Sequence, residues 1–182
     1  MLERVILVIR LEPSVFAEIE SDPRATTQAA IIVASSSLLS AFGLAMISSS
    51  PVTSFIGGFV NGLVGWVIWS AVTYALGKAL FSGGGTFEQM LRVLGYASAP
   101  NVLGLFAFIP CLGLFAGFAG WLISLIAGVL AIKEALDLSW GPAILVVFVG
   151  AVATGILYAV LGVFFGGTLS LVTELWNAVG GP

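Results

Sequence analysis

Only 8% of the 182 residues are charged and 59% are hydrophobic, whereas an ordinary soluble domain is about 25% charged. So few charges cannot cover a water-exposed surface, so the apolar side chains face lipid and the chain reads as an integral membrane protein. A net charge of −3 without a lysine- or arginine-rich cluster argues against nucleic acid as a partner, and the absence of histidine with a single cysteine, Cys111, removes an intrachain disulfide, most zinc sites and every histidine-based catalytic arrangement.

The opening "MLERVILVIRL" has an acidic residue at Glu3 and a short apolar stretch ended by Arg10, with no small-residue cleavage site after it. It reads as a retained segment rather than a cleavable signal. In "PSVFAEIES", Val15, Phe16 and Ile19 fall together at helical spacing, with Glu18 and Glu20 elsewhere. The acidic face argues against attachment to anionic lipid, which leaves insertion of the apolar face into the interface to hold the segment. Residues 1–25 are expected to form this N-terminal region.

A membrane helix needs about 20 mostly apolar residues. Five stretches qualify, at about 26–48, 53–81, 87–109, 112–135 and 140–165. Asp22 and Pro23 supply an N-cap and first helical position for the first. Gly83, Gly84 and Gly85 close the second as a flexible break. "FIPCLG" separates the third from the fourth, because Pro110 lacks an N–H and Gly113 permits a tight turn. Ser139 is the N-cap of the fifth, with Pro142 in its first turn. A last amphipathic segment, 168–179, pairs Leu171, Leu175 and Trp176 with Glu174 and Asn177, as suits the headgroup belt. The expected fold is all-α, a polytopic bundle of five spans with short amphipathic segments at both ends.

The third span is the unusual one. "LRVLGYASAP" places an arginine, a tyrosine and a proline in an apolar run. Thr86 and Gln89 have capping-box spacing, so a helix starts there at the membrane surface. Glu88 and Arg92, four apart with the acid first, can pair and so lower the cost of entering the interface. Pro100 removes the bond to the carbonyl of Tyr96 and predicts a kink.

Charge placement orients the spans. Arg4, Arg10, Arg24, Lys78, Arg92 and Lys133 all fall on the side that holds the N-terminus, or near its boundary. The positive-inside rule makes that side cytoplasmic and puts the C-terminus outside, in what reads as a cell membrane.

Three motifs also carry a resemblance. "LRVLGYASAP", the following "IP-LG" turn, and "AIKEALDLSWGPA" across the fourth and fifth spans resemble the Yip family, the Ypt/Rab-interacting five-span membrane proteins. The leader "LEPSVFAEIESDP" is similar to that of prokaryotic members. Tyr96 and Pro100 match the family's tyrosine and proline. Eukaryotic members act in membrane traffic and membrane shaping; for prokaryotic members the resemblance implies no defined activity.

The remaining polar residues admit two uses. Asn61 lies between Gly58 and Gly62 and reads as a helix-packing residue, with a pore or ligand role as the alternative. Asn101 follows Pro100 and is placed to satisfy a carbonyl freed by the kink. Lys133 and Glu134 read as a snorkelling lysine in a solvated cluster or, alternatively, as part of a cytoplasmic charge network with Glu88 and Arg92. No paired carboxylates, metal-ligand set or phosphate loop appear in the sequence, so no enzyme activity and no cofactor are expected. The leading reading is a scaffold or adaptor that binds membrane lipids and other membrane or cytoplasmic proteins through Glu88, Arg92, Tyr96, Pro100, Lys133 and Glu134. The alternative is an oligomeric channel or transporter lined by Asn61, Tyr96 and Asn101, for ions, small neutral solutes or lipids. Both leave room for a homo-oligomer.

Overall fold

The computed structural model describes the backbone of residues 1–178 and the side chains of residues 1–160. Among them there are helices and no strands. In chain order they are α1 (Leu2–Ile9), α2 (Ser14–Ser21), α3 (Ala25–Ala45), α4 (Pro51–Phe81), α5 (Phe87–Ala97), a 3-10 helix (Ala99–Phe108), α6 (Leu112–Ala135) and α7 (Trp140–Ala178). Four helices, α3, α4, α6 and Trp140–Val160 of α7, are long and apolar enough to cross a membrane. A fifth crossing is made if α5 and the 3-10 helix, bent by 40° at their junction, count as one span.

The helix boundaries arise from local chemistry. Asp22 is extended, and its Oδ1 accepts from the backbone N–H of Arg24 at 2.9 Å. With Pro23 next, this gives the expected capped start, although the first turn is of the tighter i→i+3 kind and regular α-helix begins at Ala25. Thr86 and Gln89 close the predicted capping box from both sides, at 3.3 and 2.6 Å. The turn between the 3-10 helix and α6 is tighter than the proline alone predicts. Cys111 has φ 63° and ψ −54°, and the N–H of Leu112 donates to the carbonyl of Pro110 at 2.7 Å. That is a γ-turn of the strained hand.

Three expectations need correction. The glycine run is not a loose hinge: the N–H of Gly84 donates to the carbonyl of Leu136 at 2.9 Å, which fastens the α4–α5 loop to the end of α6. Gly85, at φ 67°, has room for no side chain, since a Cβ there would overlap the carbonyl oxygen of Ala135. The apolar face of α2 does not insert into lipid. Val15, Phe16 and Ile19 are all buried in the bundle, against α5 and α6. Finally, α7 runs unbroken to Ala178, so no turn separates the fifth span from segment 168–179. The side chains proposed for that segment lie outside the described residues.

The helices form one bundle with an uneven core. α3 packs on α4 and on the 3-10 helix, α6 on the 3-10 helix and α5, and α7 on α4 and α6. α1 and α2 close over α5 and α6. The largest fully buried side chains, among them Phe16, Ile19, Met90, Tyr96, Ile132 and Leu136, collect near the end that carries the basic residues. Gly58 and Gly62 let α4 approach α3: a Cβ on Gly62 would overlap Ser37 Oγ, and one on Gly58 would meet Ala41. The small-residue pair flanking Asn61 therefore serves packing within one chain.

Candidate functional site

α5 is the buried element at the basic end, and Arg92 is its centre. The residue is only 7% exposed. Its Nε donates to Thr26 Oγ1 at 2.7 Å, its Nη1 to the backbone carbonyl of Glu20 at 2.8 Å, and its Nη2 to Glu88 Oε2 at 3.3 Å. One guanidinium thus ties α5 to the end of α2 and the start of α3. A planar fork with five donors suits this task in a way a lysine ammonium does not. The predicted Glu88–Arg92 pair forms, but the acid is 74% exposed while the arginine is buried. Its Coulombic share is therefore modest.

Beside Arg92, Gln89 Nε2 donates to Glu20 Oε1 at 2.8 Å. Partial burial raises the Glu20 carboxyl above the ordinary glutamate range, and the carboxylates of Asp137 and Glu134 push it further, against the pull of Arg92. Lys133 pairs with its neighbour Glu134 at 3.7 Å and lies 5.7 Å from the centre of the Trp140 ring.

A second set of contacts fixes α1. Arg4 bridges Glu18 at 2.8 Å and Asp22 at 2.7 Å. The Arg4 guanidinium, first of all, holds the Asp22 carboxyl below its ordinary range, helped by the N–H of Arg24. The same contact with Asp22 holds Arg4 firmly protonated. One turn deeper, the buried Tyr96 hydroxyl donates to Gln28 Oε1 on α3. Tyr96 therefore fastens α5 to α3. These partners lie 66 to 72 residues away from α5 in sequence, and no local spacing announces them.

Pro100 sits at the start of the 3-10 helix and is fully buried. At the junction, Ser98 Oγ donates to the carbonyl of Gly95 at 2.7 Å. Contrary to the expectation that Asn101 satisfies a carbonyl freed by the kink, its Oδ1 accepts from Ser124 Oγ at 3.1 Å, and its backbone carbonyl accepts from Ser40 Oγ at 2.6 Å. Asn101 and Asn61 instead line one cavity of about 500 Å³ between α3, α4, the 3-10 helix and α6. The two asparagines named as a polar lining thus share a site, which Tyr96 does not join.

A family model described as Yip1 domain matches residues 7–164 of this chain. Comparison with curated proteins and with solved structures gives no match.

Proposed function

The chain belongs to the Yip1 domain family of membrane proteins, and from that premise we propose that it acts as a non-enzymatic scaffold or adaptor, organising membrane and binding partner proteins at its basic end. Arg4, Arg10, Arg24, Lys78, Arg92 and Lys133 gather there. By the positive-inside rule that end faces the cytoplasm of a cell membrane, with the α3–α4 connection and the C-terminus outside.

The observation that carries this reading is the Arg92 network. It holds α2 against the bundle, and Arg4 ties α1 to Glu18 and Asp22 at the end of α2, so the basic end offers a fixed surface rather than a loose tail. Fixed surfaces bind with less ordering cost than mobile ones. Glu88 and Glu134 stand at its solvent side, with side chains 74% and 33% exposed. Reversing both charges, E88K with E134K, should lower recovery of a crosslinked cytoplasmic partner about tenfold, since mismatched charges suppress association. The unfolding midpoint should fall only slightly, because both reversed carboxylates belong to partly exposed pairs of modest worth. Unaltered recovery would remove the scaffold reading.

The channel or transporter reading draws on the cavity shared by Asn61 and Asn101. Flux of ions or small neutral solutes through sealed proteoliposomes, lost on Asn61→Leu, would favour it over the scaffold.

A further inference from the structure

The cavity between α3, α4, the 3-10 helix and α6 has the make-up of a ligand site set inside the bilayer. Its volume of about 500 Å³ falls within the range of small-molecule sites. Trp66, Trp69, Leu44 and Leu94 supply apolar wall, and Asn61, Ser37 and Asn101 supply polar atoms. None of its lining side chains is ionisable.

The polar groups are not all spent on the protein. Ser36 and Ser98 bond back to their own helix, and Ser40 bonds to the carbonyl of Asn101. Trp66 Nε1 donates to the carbonyl of Leu91 at 3.1 Å. Asn101 Oδ1 is taken by Ser124, which leaves the Nδ2 hydrogens of Asn101 for another acceptor. Asn61 is exposed on α4, within a helix of 31 residues whose outward face is apolar. A carboxamide at that depth costs several kcal/mol in hydrocarbon unless it is paired. Asn61, Leu44 and Gly58 also line a second cavity, of about 550 Å³, that reaches Ser48 and Ser54 at the α3–α4 connection. Through these shared residues the two form one groove that runs to the α3–α4 connection, at the end opposite the basic residues.

We infer that this groove binds an uncharged membrane lipid of the diacylglycerol class, with its ester carbonyls accepting from Asn61 and Asn101 and an acyl chain along the apolar wall. Neither cavity is lined by a cationic side chain that could pair with a phosphate, so a charged phospholipid headgroup within the groove would lack a partner. The inference is independent of the scaffold reading, and its test does not use partner recovery.

The probe is diacylglycerol with a diazirine in one acyl chain, incorporated in nanodiscs with the full chain; phosphatidylcholine with the same chain is the comparison. Labelled peptides are mapped by mass spectrometry. The diacylglycerol probe should label residues 33–44 and 57–69 well above the phosphatidylcholine probe. Two variants should reduce the difference. Gly117 lines the cavity, and a Cβ there meets nothing within 4 Å, so Gly117→Leu starts its side chain from open space and takes up part of the cavity. Asn61→Leu removes a donor on an exposed face and should lower labelling about fivefold, the worth of one hydrogen bond. Equal labelling by the two probes would overturn the inference, because bulk lipid would then be the occupant. So would labelling elsewhere on the chain, or labelling unchanged in both variants.

Discussion

Arg92 on α5 donates through Nη1 to the backbone carbonyl of Glu20, 2.8 Å away and 72 residues earlier in the chain. This contact joins the last turn of α2 to the most buried helix of the bundle. It makes the N-terminal helices part of the membrane domain rather than an appendage to it.

Replacing Arg92 with leucine should therefore destabilise the protein by about 3 kcal/mol, since hydrogen bonds to a charged group are worth about 1.5–3 kcal/mol each and the buried partners are left unpaired. Lysine should recover only a small part, because it cannot reproduce the fork. Chemical denaturation in detergent checks both, and a leucine variant as stable as the parent would contradict the role given to Arg92.

The capping box at Thr86, the Glu88–Arg92 pair and the close approach at Gly58 and Gly62 are all legible in the sequence, because each depends on residues three or four apart. The start of α6 and the end of α4 are legible for a related reason, through Pro110 and the glycine run. The packing partners of α2 are not. Helical spacing identifies Val15, Phe16 and Ile19 as one apolar face, but a lipid interface and a protein core present the same demand to that face. Nor does a proline kink specify the conformation beyond it: the chain continues as a ten-residue 3-10 helix, favoured here by packing against α3 and α6. The partners of Arg92 and Tyr96 depend on tertiary proximity alone. Asn61 and Asn101 can be named singly as polar residues in apolar spans, yet only the fold brings them to one cavity.

Acid should weaken the α1–α2 clasp. The Asp22 carboxyl is held below its ordinary range, chiefly by Arg4, so its contribution is present above the ordinary aspartate pKa and is lost as pH falls through the lowered value. Asp22→Asn should flatten this part of the acid unfolding curve. A variant curve with the same acid limb as the parent would contradict the assignment.

Glu20 should act in the opposite sense. Its folded-state pKa is raised, first by burial and then by Asp137 and Glu134. The folded state thus favours the protonated carboxyl; below the ordinary glutamate pKa there is no penalty, and one develops as pH rises through the raised value. Glu20→Gln keeps an acceptor for Gln89 and removes the charge. It should raise the unfolding midpoint at pH 7 and leave it unchanged in strong acid. A lower midpoint at pH 7 would show that the carboxylate is stabilising.

Two glycines should separate close packing from helix propensity. A Cβ on Gly43 would overlap the backbone carbonyl oxygens of Gly104 and Leu105, whereas one on Gly128 meets nothing within 4 Å. Gly43→Ala should cost about 2 kcal/mol through displacement of backbone. Gly128→Ala should gain about 0.5–1 kcal/mol, the ordinary benefit of alanine in a helix interior. Equal effects in thermal unfolding would contradict the tight α3 contact.

The most direct measurement is hydrogen–deuterium exchange of residues 2–21 with the full chain in nanodiscs. Docking through Arg92 and Arg4 predicts that α1 and α2 are protected to the same order as the first turns of α3, and that Arg92→Leu removes the protection from α1 and α2 while α6 keeps it. Exchange of residues 2–21 at the rate of an unstructured peptide in the unaltered protein would contradict a fixed N-terminal platform, and with it the scaffold built on that platform.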